Sequence, residues 1–402
     1  MGTEVASLWA SLGLNVLPFM AGLKAAGTEI DATAVKLGVL DAGTGKSADG
    51  LNATGAAALA SSKSVKLLGE ALLATGAALA IVGVASIRTA SDFEELTTAL
   101  VTGAGEAEAS LEEVRTGLLQ MAGEVGVSAN ELAKGMYMVE SAGYHGAAGL
   151  EVMQAASQGA KIGMADQAVV ADALTTVLKD YKLPASAAAG VTGQMTAAVA
   201  AGKMHWEDFA ASLSKVLPMA SSLNIPFQQV AAAEAVMTAH GVNAARATTV
   251  LQTGLIQLMK PSTEAKRAIE DLGIPLDKLQ QKLAAGNHLG ALQMFADAME
   301  KKLPASAKAA IAAAQQAFAE GMDPEKIFPQ LEAKLGPAYA KMIADLVTAF
   351  GGLRGGALAL NLIPNLTEMR ANIASIGTVS EGAAKAQAAW ALVLEDLNTK
   401  ID

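Results

Sequence analysis

The hydrophobic positions of the central part of the chain recur at helical rather than strand spacing. Leu132, Met136 and Val139 fall at positions i, i+4 and i+7, which places them on one face of a helix. Similar stripes follow at Leu174 and Leu178. The pattern predicts a series of amphipathic helices rather than a sheet.

Helix start and stop signals frame this pattern as a short module that occurs twice. Ser128 with Glu131 three residues later is a capping box, which satisfies free N–H groups at a helix start, and Gly143 stands where the helix would stop. Pro226 fits a first helical turn, and Gly241 follows it at the same distance as Gly143 follows Ser128. We therefore expect the two modules to superpose.

The same signals divide the rest of the chain into helices of about 12 to 18 residues with short turns. Predicted helices cover residues 107–123, 128–142, 150–162 and 166–181, with a Gly-rich turn over 143–149. Further helices are expected to start near Pro184, Trp206, Pro226, Asn243 and Pro261, and those of residues 275–337 to be punctuated by Pro304, Pro324 and Pro329.

The two ends of the chain show different patterns. A period-two alternation predicts a short strand over residues 8–14, with one irregular helix as the alternative. The alternating sets are Leu8, Ala10, Leu12 and Leu14 against Ser7, Trp9, Ser11 and Gly13. A Gly/Ser linker follows at residues 42–50. Residues from Asn365 to Asp402 read as one long helix that suits the start of a coiled coil.

Together these patterns predict an all-α fold: an array of short capped helices with a small N-terminal strand and a long C-terminal helix. The predicted organisation has four parts. They are an N-terminal strand/helix segment with its linker (residues 1–50), an apolar helix (51–90), a helical core (91–360) and a long helix that could begin a coiled coil (361–402).

Composition limits the kinds of partner. The chain is 52% hydrophobic but only 4% aromatic, and its 17% of charged residues is below the roughly 25% of typical soluble domains. Such a chain is expected to bury surface against other subunits or a membrane. The net charge of −10 argues against stable binding of nucleic acid, which needs clustered Lys and Arg.

One apolar run forms a candidate membrane segment. Residues 71–87 carry no charge and are bounded by Glu70 and Arg88. A spanning helix needs about 20 apolar residues, with about 17 at the low end, so the run is either a buried core helix or a segment inserted after release. The residues of this run that we single out as the candidate membrane segment are Ala71, Leu72, Leu79, Ile81, Val82, Val84 and Ile87.

No residue pattern of a catalytic, cofactor or metal site is evident. The four histidines do not pair with one another at helical spacing and no HExxH motif occurs. Adjacent acids such as Glu112 and Glu113 point to different sides of a helix and suit a solvated face. The absence of cysteine removes thiolate chemistry. We therefore expect no enzyme, no cofactor and no metal.

Several of these features, in this order and spacing, resemble the core region of the tail tape measure proteins of long-tailed bacteriophages. The resemblance covers about residues 91–360. It rests on ASDFE at 90–94, GVSANELA at 126–133, SAG at 141–143, the second module ending at Gly241, DLGI at 271–274 and FGGLRG at 350–355.

This resemblance implies a structural role in the virion. The family's proteins are helical scaffolds in the lumen of the phage tail, made in the host cytoplasm. There they set tail length during assembly, and they leave before the DNA. The implied partners are the tail tube protein, tail assembly chaperones, tail tip or baseplate proteins and further copies of the chain, with the host membrane met on ejection. The alternative is a membrane-active or pore-forming helical protein that assists genome delivery, suggested by residues 71–87.

Overall fold

The structure is a computed structural model that describes residues 90–399, and the regular structure of these residues is entirely helical. The all-α prediction is therefore confirmed for the described part of the chain. The strand predicted at residues 8–14, the linker at 42–50 and the apolar run at 71–87 lie outside the described residues.

The helices follow one another with short connections. Residues 90–99 are helical and lead into a π-helix at Leu100–Ala104. The α-helices, in order, are α1 Leu111–Val125, α2 Ala129–Ser141, α3 Gly146–Gly163, α4 Gln167–Asp180, α5 Ala188–Ala201, α6 Trp206–Ser222, α7 Phe227–Ala239, α8 Ala244–Met259, α9 Thr263–Asp271, α10 Leu276–Ala284, α11 His288–Lys302, α12 Ala305–Ala319, α13 Pro324–Lys334, α14 Pro337–Ala349, α15 Leu353–Leu362, α16 Leu366–Ile376 and α17 Val379–Thr399. Short 3₁₀ turns at Ala185–Ala187 and Ile363–Asn365 precede α5 and α16.

The described residues group into two compact units. The smaller unit contains residues 90–99 and 115–133. Within it, Arg115 Nε donates a hydrogen bond of 2.8 Å to Oγ1 of Thr97, a fully buried residue. This bond ties the helical residues 90–99 to α1.

The larger unit contains residues 100–114 and 134–399 and is built from packed helix pairs. The closest pairs are α5 with α17, α4 with α6, α7 with α16, α8 with α15, and α9 with α14. Its core includes Trp206, Phe209 and Phe328, and the rings of Phe295 and Phe350 lie 4.9 Å apart. Each buried aromatic side chain removes about 150–250 Å² from solvent, more than an alanine or valine does.

A recurring turn explains the short connections. At the end of α2, the N–H of Gly143 donates to the Glu140 carbonyl and the N–H of Tyr144 to the Val139 carbonyl, which is a Schellman motif. Gly143 takes a φ of +91°, which glycine adopts without steric cost. The same bond pair recurs at Lys182, Asn224, Gly241, Gly273, Gly286, Gly321 and Gly351. All of these residues have positive φ.

The predicted Gly-rich turn over residues 143–149 is shorter in the structure. Helix α3 begins at Gly146 instead of the expected Leu150, with His145 in extended conformation before it. Gly149 lies inside this helix, and a Cβ there would meet Met136 Cε at 2.7 Å. This glycine therefore allows close packing and does not form a turn.

The C-terminal residues form two helices where the sequence predicts one. Gly377, with a φ of +74°, ends α16, and α17 begins two residues later. Thr378 and Glu381 form a capping box, because the Thr378 N–H donates to Glu381 Oε2 at 2.7 Å and the Glu381 N–H to Thr378 Oγ1 at 3.4 Å. The first half of α17 packs on α5, whereas residues 387–395 bury no side chain. A coiled coil at this end stays a prediction.

Two of the three prolines expected to punctuate residues 275–337 lie at helix starts. Pro304 lies immediately before α12 and Pro324 is the first residue of α13. Pro329, expected to interrupt the helices, lies inside α13. Asp323 precedes that helix without a side-chain cap, and its Oδ1 lies 4.0 Å from Arg246.

Within the described residues no single helix combines the length and apolar composition of a membrane span. One pair, Pro337–Ala349 with Leu353–Ile376, meets that test only when taken together, and it is bent by 107°.

Candidate functional site

Three ionisable side chains from separate parts of the larger unit meet in one cluster, the acid–histidine cluster of Glu106, Glu140 and His145. Glu106 follows the π-helix and Gly105, which takes a φ of +90°. Glu140 lies in the last turn of α2, and His145 immediately precedes α3. One ligand atom from each of the three lies within 4.8 Å of the others. Among the described residues this is the one group in which three such ligands meet.

Glu106 is fixed by donors on both of its oxygens. Oε1 accepts from the Ala107 N–H at 2.8 Å and from the Ser110 hydroxyl. Oε2 accepts from the Gly146 N–H at 2.8 Å. Because Gly146 opens α3, the carboxylate supplies an acceptor for one of the free donors at that helix start, where negative charge is favourable.

Glu140 is buried more completely and has fewer partners. It is 1% exposed, and its Oε2 lies 2.5 Å from His145 Nδ1. No N–H or O–H group of the described residues donates to its buried Oε1. The His145 side chain is 41% exposed, so the cluster reaches solvent on the imidazole side.

The pKa values of the two carboxyl groups are shifted in opposite directions. Burial, together with the hydrogen bond and charge of Glu106, raises the pKa of Glu140 to about 9. Burial would also raise the pKa of Glu106, but hydrogen bonds from Glu140, Ser110, Gly146 and Ala107 outweigh it and lower that pKa to about 2. Near neutral pH one proton is therefore held on Glu140 and the negative charge resides on Glu106. Neither set of interactions includes a Lys or Arg.

Sequence reasoning missed this cluster for a physical reason. The expectation of no metal site was based on helical spacing between histidines, whereas Glu106 is far from His145 along the chain. Glu140 and His145 are five positions apart, and the turn at Gly143 between them is what brings them together. The four histidines have different surroundings: His205 is exposed before α6, His288 is buried, and His240 Nε2 lies 2.8 Å from Glu368 Oε2 at the surface.

The predicted capping residues of the first module lie at the start of α2. The Glu131 N–H donates to Ser128 Oγ at 3.2 Å, and the Ser128 hydroxyl lies 3.1 Å from Glu131 Oε2. The Glu131 carboxylate therefore contacts the Ser128 hydroxyl, rather than the Ser128 backbone N–H that a full capping box would use. Ser128 Oγ still satisfies one helix-start donor.

Replacing Ser128 by alanine is expected to lower the free energy of unfolding by about 1 kcal/mol, because the N–H of Glu131 loses its acceptor. Chemical denaturation followed by circular dichroism measures the change. Ser214→Ala is the matched control, since this exposed serine inside α6 contacts only the Ala211 carbonyl. Equal denaturation midpoints for Ser128→Ala and the wild type would show that this cap does not stabilise the fold.

The second module has the same spacing of backbone features. A residue with positive φ, Gly126 or Asn224, precedes each helix by three positions. Gly143 and Gly241, both with a φ of +91°, follow the last helical residues by two. Pro226 lies immediately before α7 instead of in its first turn. That the two modules superpose stays a prediction.

Comparison with known proteins identifies the family. A model of the family described as phage-related minor tail protein matches residues 115–319, which is just over half of the chain. The chain is also 27% identical over 190 residues to the tape measure protein of Pneumococcus phage Dp-1. That alignment covers 47% of this chain and 16% of the relative, so the chain spans a small part of the relative's length. No solved structure matches.

The matched region runs from inside α1 to the end of α12 and includes both modules. It consists of the capped helices and Schellman turns described above. The family is one of phage tail proteins, which makes the chain a structural protein associated with the virion. The chain belongs to the phage tail tape measure family of phage-related minor tail proteins.

Proposed function

We propose that this chain is part of the scaffold that lies in the lumen of the phage tail tube, sets tail length during assembly and leaves before the DNA. The observation that carries the proposal is the family match over the helical core, together with a relative named tape measure protein. Tail tube subunits, assembly chaperones and tip or baseplate proteins are the partners that this role requires. Synthesis in the host cytoplasm precedes assembly.

The helical array restricts where a ruler could obtain its length. An extended α-helix rises about 1.5 Å per residue, whereas helices that pack side by side add little contour. The paired helices of the larger unit, such as α5 with α17 and α7 with α16, fold back on one another. If the array keeps this fold in the tube, tail length comes from extended helix outside it.

The structure also decides where an insertion can test the proposal. Asn365, the first residue of the long helix predicted from the sequence, lies between Ile363 and Leu366, which are 3% and 4% exposed. An insert there would disrupt the packing of α16 on α7. Residues 387–395 of α17 bury no side chain, and an insert between Ala391 and Leu392 leaves the packed half of the helix intact.

An insert of about 36 residues of heptad-patterned helix between Ala391 and Leu392 is expected to lengthen the tail by about 54 Å. The insert adds about ten turns, so the residues on either side keep their helical phase. Electron microscopy of tails measures the change, with mass spectrometry of virions to show that the insert is present. His205→Ala serves as control, because it changes an exposed side chain without adding contour.

Tails of unchanged length that carry the insert would contradict the ruler proposal. The membrane-active alternative predicts that outcome together with lost infectivity when Ala78 and Val82 are replaced by lysine. Liposome flotation of the purified chain measures membrane binding directly.

A further inference from the structure

We propose that Glu106, Glu140 and His145 bind a divalent transition-metal ion, with Zn²⁺ as the preferred ion. Ligand atoms of one ion, each about 2.0–2.2 Å from it, lie within about 4.4 Å of one another. The three ligand atoms of the cluster already lie within 4.8 Å. Glu140 Oε2 and His145 Nδ1 are 2.5 Å apart, closer than the roughly 3.4 Å between two ligands of a tetrahedral ion, so these two side chains would rotate apart to admit it.

The unsatisfied atom in the cluster points to a ligand. Glu140 is 1% exposed, yet no N–H or O–H group of the described residues donates to its Oε1, and the other carboxyl beside it is that of Glu106. A buried polar atom without a partner costs free energy, and native structures contain few of them. A cation between Glu106 and Glu140 would satisfy this oxygen, and it would displace the proton that the Glu140 carboxyl holds in the absence of metal.

The donor set selects the class of ion. Imidazole nitrogen suits Zn²⁺ and other transition ions, whereas Ca²⁺ takes six to eight oxygen ligands and Mg²⁺ prefers an octahedral shell of oxygens. Two carboxylates and one histidine leave one position of a tetrahedral zinc site for water. The 41% exposed side chain of His145 provides the solvent side from which ion and water would enter.

Neighbouring groups orient the ligands as the outer partners of a metal site do. The Ala107 N–H and the Ser110 hydroxyl hold Glu106 Oε1. The Gly146 N–H occupies one lone pair of Oε2 and leaves the other for an ion. Gly105 lies beside the imidazole, since a Cβ built on it would be 3.5 Å from His145 Cε1.

A bound ion would join three segments of the larger unit. These are the turn after the π-helix, the end of α2 and the start of α3. An ion that binds the folded form and not the unfolded chain stabilises the fold by mass action. Metal binding would therefore appear as a raised melting temperature.

The test is Zn²⁺ titration of the full chain after EDTA treatment and dialysis, followed by calorimetry and thermal unfolding. We expect one saturable site per chain and a melting temperature that rises with Zn²⁺. Glu140→Gln, which keeps the side-chain shape, and His145→Ala, at a partly exposed position, should each weaken binding at least tenfold. Ser110→Ala should weaken it less, because Ser110 acts through Glu106.

His240→Ala is the matched control. It removes an exposed histidine whose Nε2 lies 2.8 Å from Glu368 Oε2. This histidine–glutamate pair resembles that of His145 and Glu140, but no second carboxylate of the described residues completes a three-ligand group there. The His240→Ala variant should bind Zn²⁺ as the wild type does. Circular dichroism confirms that each variant is folded. The proposal fails if the wild type shows no saturable Zn²⁺ or Mn²⁺ site, if it binds Ca²⁺ in preference, or if folded Glu140→Gln and His145→Ala bind as tightly as His240→Ala.

Discussion

Replacing Gly193 by alanine is expected to lower the free energy of unfolding by about 3 kcal/mol, at the upper end of the range for overpacked cores. Gly193 in α5 faces Gly382 in α17. A Cβ on Gly193 would overlap the Gly382 carbonyl oxygen and would lie 2.5 Å from its carbon and 3.0 Å from its Cα. These are backbone atoms, so the whole of α17 would have to move.

The surrounding contacts offer little room for that movement. A Cβ built on Gly190, one turn earlier on α5, would likewise overlap the carbonyl oxygen of Val379. In addition, Gln194 Nε2 donates a hydrogen bond of 2.6 Å to the Gly377 carbonyl. A shift of α17 would therefore disturb contacts along the first half of that helix. Limited proteolysis should show earlier cleavage within α17 in the variant.

Gly123→Ala is the matched control for this prediction. Gly123 also lies inside a helix, α1, but a Cβ there meets nothing within 4 Å. Alanine is favoured over glycine in a helix by about 1 kcal/mol, so this variant should be as stable as the wild type or more so. Urea denaturation measures the free energy of unfolding of both variants. Equal values for Gly193→Ala and Gly123→Ala would disprove the close approach of α5 and α17.

Folding stability is expected to fall as the pH rises from about 4.5 to about 7 because of Glu234. This residue of α7 is fully buried, and burial raises its pKa from 4.5 to about 7 against the opposing hydrogen bond from Thr248. The folded state then binds more protons than the unfolded state across that interval, which lowers stability as the pH increases. The shift corresponds to roughly 3 kcal/mol at about 1.4 kcal/mol per pH unit.

The geometry explains why the charged form is disfavoured. Thr248 Oγ1 lies 3.0 Å from Glu234 Oε1 and can donate to it, but Oε2 is buried without a partner. The nearby Ser212 hydroxyl donates to the Phe209 carbonyl at 2.6 Å. An ionised carboxylate would thus have an unpaired oxygen in the core, which is costly.

Glu234→Gln should remove this contribution to the pH dependence. Between pH 4 and pH 8 the wild type is expected to lose unfolding free energy that Glu234→Gln keeps. The variant should therefore become more stable relative to the wild type as the pH rises. Urea denaturation at several pH values measures this difference. Glu207→Gln, at an exposed position in the first turn of α6, is the control and should keep the wild-type profile. Parallel profiles for Glu234→Gln and the wild type would show that Glu234 ionises freely.

Local signals in the sequence were sufficient for the fold class and for most helix boundaries. Asp166 and Asn243 cap α4 and α8 at starts predicted from the sequence, because an N-cap acts on donors only two or three residues away. The boundary at Gly377 carried a comparable signal, since Thr378 and Glu381 have capping-box spacing. It was missed because the apolar pattern continues across it.

Only the tertiary structure distinguished glycines that end helices from glycines that allow helices to touch. Gly143 and Gly241 have positive φ after a helix, whereas Gly149 and Gly193 are helical and closely packed. The sequence alone does not distinguish the two kinds of glycine. The difference depends on which backbone or side chain lies opposite, and no local pattern contains that information.

The ionisable groups with unusual surroundings likewise depend on the tertiary structure. The sequence by itself determined an all-helical protein with the order of features of the tape measure family, because caps, turns and periodicity act within one or two helical turns. The meeting of Glu106 with Glu140 and His145, and the burial of Glu234, depend on contacts between residues that are distant along the chain. Burial and the proximity of other charges set the properties of these groups, and only the packed helices supply them.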